Sequence, residues 1–129
     1  MDADGQEVPE RIPPEQVDLA VEVLRMLAEP TRIQLLWALT GGELSVTALA
    51  ERTGRPGPSV SQHLAKLRMA RLVTTRRSAN QVFYRLGDDH VAQLVVDAVH
   101  HAEHVGPGVP AHHRGDAEVT PLDGLTGAP

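Results

Sequence analysis

Residues 43–73 read ELSVTALAERTGRPGPSVSQHLAKLRMARLV, and the fold of the chain turns on how this stretch is punctuated. A short helix from about Ser45 to Arg52 stops at Gly54, the residue type best suited to the left-handed turn that ends a helix. A second helix begins near Pro58, where a missing N–H costs nothing. Two helices joined by a tight glycine-containing turn make a helix-turn-helix. In the second helix Val60, Leu64 and Leu67 recur at i, i+4 and i+7 and form the inward face. Ser59, Ser61, Gln62, His63 and Lys66 are left for the outward side. Short polar, amide and basic side chains of this kind reach base edges and phosphates.

The next residues, LVTTRRSANQVFYRL, read as a hairpin: a β-branched run, a polar turn around Ser78-Ala79-Asn80, then Val82-Phe83-Tyr84. Arg76 and Arg77 flank the turn, and a basic hairpin after a recognition helix is the wing of a winged helix. Upstream, PEQVDLAVEVLRMLAEP spaces Val17, Ala20, Val21, Leu24 and Leu27 by three and four until Pro30 closes the run. The helix PTRIQLLWALTGG follows and ends at Gly41-Gly42, with Ile33, Leu36, Trp37 and Thr40 expected on one face. Downstream, DDHVAQLVVDAVHHAEH is a helix with Asp88 or Asp89 as N-cap and Val91, Leu94, Val95, Ala98, Val99 and Ala102 as apolar positions. The fold class is therefore mainly α with a small β-hairpin, a winged helix-turn-helix. Residues 1–14 are expected to form a disordered arm, 15–105 the DNA-binding and dimerisation domain, and 106–129 a flexible histidine-containing tail.

With 129 residues the chain is one domain by length, and its single Phe, Tyr and Trp leave the core to aliphatic side chains. It contains no cysteine, so disulfides, thiolate metal sites and thiol nucleophiles are excluded together. No apolar run is long enough for a membrane span, and the acidic start is the reverse of a signal peptide; a cytoplasmic protein is expected. The net charge of −5 argues against nucleic acid only until it is divided by segment. Between Arg52 and Gly87 there is no Asp or Glu, and the same stretch holds Arg52, Arg55, Lys66, Arg68, Arg71, Arg76, Arg77 and Arg85.

From about Gln16 to His104 the chain resembles the ArsR/SmtB family of bacterial metal-responsive repressors, which are homodimeric winged-helix proteins. The segments PTRIQLLWAL, ELSVTALAERTG, PSVSQHLAKLRMARLV and QVFYRL carry the resemblance, in that order and at family spacing. It implies that Ser59, Ser61, Gln62, His63 and Lys66 lie on the helix that reads double-stranded operator DNA, with Arg76 and Arg77 on the wing. It also implies a homodimer built through the first and last helices, with no small-molecule substrate and no membrane partner. One branch of the family senses soft metals through a cysteine pair in the segment that here reads ELSVTAL. Ser45 and Thr47 stand there instead, and neither is a useful ligand for a soft ion.

The segment HVAQLVVDAVHHAEHVGPGVPAHHR looks like the actinobacterial nickel/cobalt sensors of the KmtR type within that family. Carried over position by position, the resemblance assigns His90, Glu103, His104, His112 and His113 to a metal site. Helical geometry offers a second set. At about 100° per residue, His101 falls roughly 20° from His90 and His104 roughly 40° to its other side. His90, His101 and His104 thus share one stripe, and with Asp88 they form the pattern D-x-H, ten residues, H-x-x-H, which resembles the inter-helix zinc or cobalt site of another family branch. His90 and His101 are about 16 Å apart along one helix, so only an antiparallel partner helix can bring such ligands together. Glu103 lies roughly 140° around from His90, and its set needs ligands from another direction. The tail can supply them, because the step from His104 to His112 spans at most about 27 Å. The subgroup resemblance puts the tail-assisted set first, and the two sets can also be separate sites.

Imidazoles and carboxylates suit nickel, cobalt and zinc, and five or six such ligands exceed the four of a structural zinc site. Ni(II) or Co(II) is therefore the expected effector, with Zn(II) as the alternative. The function these readings give is a metal-sensing transcriptional repressor that binds its operator metal-free and is released by Ni(II) or Co(II) to derepress metal efflux. A Zn(II)-responsive or a metal-independent repressor of the same family is the alternative. A remote one is an enzyme: His100, Glu103 and His104 spell H-x-x-E-H, the inverted zinc-peptidase motif. That chemistry needs a third ligand and a substrate cleft, and the winged helix already uses nearly all the ordered chain, so no catalytic residue is assigned.

Overall fold

A computed structural model describes residues 10–106. The expected arm is outside the described residues up to position 9, and the expected tail from position 107, His112 and His113 included. The elements are α1 (Pro14–Leu27), α2 (Pro30–Leu39), β1 (Leu44–Ser45), α3 (Val46–Thr53), α4 (Gly57–Met69), β2 (Val73–Ser78), β3 (Gln81–Leu86) and α5 (Asp89–Val105).

Local chemistry sets each boundary. The Ser45 hydroxyl accepts from Ala48 N–H at 3.2 Å and starts α3. Gly54 ends it in the left-handed region at φ 67°, donating its N–H to Ala50 O. Recognition-helix candidate α4 closes with paired bonds, Leu72 N–H to Leu67 O and Arg71 N–H to Arg68 O, both 2.9 Å. These are the two bonds of a Schellman motif. Its left-handed residue is Arg71, at φ 63°, where glycine would be unstrained. At the start of α5 the Asp88 carboxylate accepts from Val91 N–H at 2.9 Å, so Asp88 and not Asp89 is the N-cap.

The hairpin is antiparallel, with Ser78 opposite Gln81 and Val73 opposite Leu86, so Ala79 and Asn80 form the turn. The sheet has a third strand that sequence periodicity does not predict: β1 pairs with β3, Leu44 opposite Tyr84 and Ser45 opposite Phe83. This short rung ties the start of α3 to the root of the hairpin.

One core joins these elements. Val60, Leu64 and Leu67 of α4 are fully buried as expected, against Leu35 and Leu36 of α2, Leu49 of α3 and Val95 of α5. Each such side chain contributes about 1.5–3 kcal/mol by leaving water. The face predicted for α2 is corrected. Thr31, Leu35, Leu36 and Leu39 turn inward, whereas Trp37 is 41% exposed and Thr40 lies in solvent. In PTRIQLLWAL apolar residues surround the helix, so tertiary packing, and not a stripe, selects the buried side.

Two helices are only partly used by this core. On α1 only Leu27 is buried, and Val17, Leu19, Val21 and Leu24 remain exposed. On α5 Val91 and Val95 are buried while Leu94, Ala98 and Ala102 are exposed. An apolar groove lined by Leu24, Leu27, Ile33, Leu94, Val95 and Ala98 runs between α1, α2 and α5. Among the described residues no helix is long and apolar enough to cross a membrane.

Candidate DNA-reading face and metal-ligating helix

The inward anchoring of α4 through Val60, Leu64 and Leu67 fixes what its other side presents. Ser61, Gln62 and Lys66 are exposed, and Ser59 is half-buried near the amino-terminal end. Arg68 and Arg71 extend this row with exposed cations beyond the five residues singled out from the sequence. His63 departs from the outward row expected of it. Its side chain is 21% exposed, and Nε2 lies 3.8 Å from Oε2 of Glu29 at the amino-terminal end of α2.

In the hairpin Arg76 and Arg77 are both exposed, but strand alternation sends them to opposite faces. Arg76 is opposite Phe83 in the register, its guanidinium carbon 5.1 Å from the ring centroid. Its Nε donates to both carboxylate oxygens of Glu43, at 2.9 and 2.8 Å. The run from Arg52 to Gly87 is thus free of acids along the chain but not in space. Glu43, just upstream, fixes Arg76 to the foot of the wing, and Arg77 is the cation that this pair leaves out.

Along α5 the candidate ligands fall into two groups. Asp88 and His90 are at the amino-terminal end, with one Asp88 oxygen held by its capping bond. His100, Glu103 and His104 line a shallow pocket at the other end together with Trp37 and Val99. The His100 ring, on an exposed residue, meets Trp37 edge-on, centroids 6.3 Å apart and planes inclined at 70°, a contact that helical spacing alone does not report. His101 is exposed. Among the described residues no three His, Cys, Asp or Glu side chains are grouped to hold one metal ion. Neither ligand set is therefore assembled within the described part of one protomer. The donor chemistry, imidazole and carboxylate at both ends of α5, still fits a borderline divalent ion once further ligands arrive.

Comparison with known proteins places this geometry. A family model described as a helix-turn-helix domain matches residues 27–76. The chain is 63% identical over 106 residues to the HTH-type transcriptional regulator KmtR of Mycobacterium tuberculosis, covering 82% of each protein. It is 41% identical over 90 residues to the HTH-type transcriptional regulator NmtR of the same organism, covering 70% of this chain and 75% of the relative. Among solved structures, the homodimeric winged helix-turn-helix DNA-binding domain of Mb0332 from Mycobacterium bovis superposes with a TM-score of 0.65 at 30% identity. That match covers 78% of this chain and 94% of the other. The transcriptional repressor BigR from Xylella fastidiosa gives 0.59 at 38% identity, covering 70% and 95%. This chain belongs to the ArsR/SmtB family of winged helix-turn-helix transcriptional regulators, and is a regulator and not an enzyme.

Proposed function

We propose that the protein is a homodimeric repressor that binds an inverted-repeat operator in its metal-free state and is released by Ni(II) or Co(II), so that a metal-efflux gene is transcribed. The observation that carries this reading is a coincidence on one small fold. The basic α4 and wing share one core with α5, a helix with imidazole and carboxylate at both ends and an exposed apolar side. A second copy packed on α1 and α5 covers Val17, Leu24, Leu94 and Ala98. It also supplies what the described residues of one protomer lack, because an antiparallel α5 sets its carboxy-terminal ligands beside His90. Homodimeric assembly of Mb0332 and the repressor role of BigR support the assembly and the sign of regulation.

His90 and His104 belong to both ligand sets, and Glu103 with His112 and His113, or Asp88 with His101, complete them. A bound ion linking these groups favours one dimer geometry, and the spacing of the two α4 helices across successive major grooves changes with it. Metal is expected to leave on acidification, because the ligating imidazoles must be neutral. Zinc fits the four-ligand set best and is the second effector. A metal-independent repressor is the second reading, favoured by the lack of a preformed three-ligand group among the described residues.

Cobalt titration followed by ligand-field absorbance tests the proposal. His90→Ala and His104→Ala are each expected to abolish saturable binding, and undiminished binding in both contradicts it. His101→Ala compared with the His112→Ala/His113→Ala double variant then separates the sets. Loss only in the first assigns the site to the helical stripe.

A further inference from the structure

His63 is on the helix that the proposed function assigns to the operator, but its ring is turned away from the exposed row. Nε2 is 3.8 Å from Oε2 of Glu29, and Nδ1 is buried without a hydrogen-bond partner among the described residues. Glu29 is the N-cap of α2, its Oε1 accepting from Arg32 N–H at 2.8 Å. The same Oε1 is 3.9 Å from Arg32 Nε, a second buried nitrogen without a hydrogen-bond partner among the described residues. Glu29 also follows directly on Ala28, the C-cap of α1. An imidazole from α4, a guanidinium from α2 and a carboxylate from the α1–α2 corner therefore converge on one half-buried spot.

The contacts are drawn up but not closed. At 3.8 Å and 3.9 Å both pairs are within ion-pair range and outside hydrogen-bond range, which ends near 3.2 Å for nitrogen and oxygen. Closing the Nε2–Oε2 gap takes an approach of α4 toward the corner of less than about 1 Å, and adds a hydrogen bond to a charged carboxylate. From this geometry we propose that His63 is a positioning residue. Its bond to Glu29 closes as α4 seats in the major groove, and holds the recognition helix in register with the corner from which the dimerisation helix α1 leaves. In this role His63 touches no DNA. The inference rests on the operator-binding reading and adds to it the residue pair that couples the reading helix to the dimer helix.

Operator-fragment anisotropy with the full-length, metal-free protein tests it across a salt series, for wild type, Glu29→Gln, His63→Ala, His63→Gln and the Glu29→Gln/His63→Ala double variant. Glu29→Gln keeps an oxygen to cap α2 while removing the charge. Each of Glu29→Gln and His63→Ala is expected to weaken binding by about tenfold, and the double variant no further than either. The slope of log K against log salt should stay at the wild-type value, and His63→Gln, which retains an N–H donor, should recover most of the affinity. Thermal unfolding midpoints taken alongside identify any variant whose loss is a folding loss, and an affinity loss in Glu29→Gln that merely follows its midpoint overturns the inference. So does unchanged binding by Glu29→Gln beside a His63→Ala variant whose salt slope falls by about one, the signature of a lost phosphate contact. Wild-type protein that binds no operator fragment overturns the operator-binding reading, and this inference with it.

Discussion

Trp37 of α2 and His100 of α5 meet edge to face with ring centroids 6.3 Å apart, and the indole lines the same pocket as Glu103 and His104. The only tryptophan of the chain is therefore beside the carboxy-terminal ligands of the proposed metal site. Open-shell Ni(II) and Co(II) quench indole emission at short range, whereas Zn(II) has a filled d shell. Saturable quenching by Ni(II) and Co(II), absent in His104→Ala, is the expected outcome of a fluorescence titration. Emission unchanged by saturating metal means that the ion binds away from this end of α5.

The Arg76–Glu43 pair makes a second prediction, about the wing. Arg76 is 54% exposed, so its bond to Glu43 contributes at most about 1 kcal/mol to folding and less at high salt. Its main effect is on the hairpin's position. Glu43→Gln is expected to leave the thermal midpoint within a few degrees of wild type and to weaken operator binding severalfold, although it adds net positive charge. Tighter binding by Glu43→Gln would show that Arg76 is held back from DNA by Glu43.

Backbone geometry at the end of α4 makes a third. A Cβ placed on Gly87 would come within 2.6 Å of the Arg71 carbonyl oxygen, backbone that cannot swing aside. Gly87→Ala should destabilise by about 1–3 kcal/mol. At Arg71 the opposite holds, because a left-handed residue with a side chain costs about 1–2 kcal/mol and φ there is 63°. Arg71→Gly should raise stability by about 1 kcal/mol while weakening operator binding through the lost cation. Urea denaturation of both variants checks the two signs.

These positions also mark how far the sequence could be read. The interior of the helix-turn-helix was legible because Gly54 and Pro58 bracket a turn and Val60, Leu64 and Leu67 keep one helical stripe. The α2 face was not, since seven of the ten residues of PTRIQLLWAL are apolar and only neighbouring helices decide which side is covered. Strand β1 is two residues long and has no periodicity to detect. The direction of His63 depends on Glu29, far away along the chain, and helical spacing cannot report such a pairing. The candidate metal ligands up to His104 were legible as residue types along one helix, but their grouping was not, because one α5 keeps His90 and His104 about 21 Å apart.

Exposed apolar side chains on two helices lead to a fourth prediction. Leu24 on α1 is 55% exposed and Leu94 on α5 38%, and both line the groove between those helices. Leu24→Asp and Leu94→Asp are each expected to convert a dimer into a monomer in sedimentation velocity. Operator affinity should fall by at least tenfold, because two tethered recognition helices bind far more tightly than one. Wild-type protein that sediments as a monomer at micromolar concentration contradicts the assembly.

Coupling between metal and operator is the most direct test of the regulatory function. Anisotropy of a labelled operator fragment, titrated with wild-type protein without metal and with saturating Ni(II), Co(II) or Zn(II), measures it. Nickel or cobalt is expected to weaken operator binding by about 5- to 150-fold, and operator must weaken metal binding by the same factor. Operator affinity that is the same with each of the three metals as without them would contradict metal sensing, and leave a DNA-binding regulator that responds to something else.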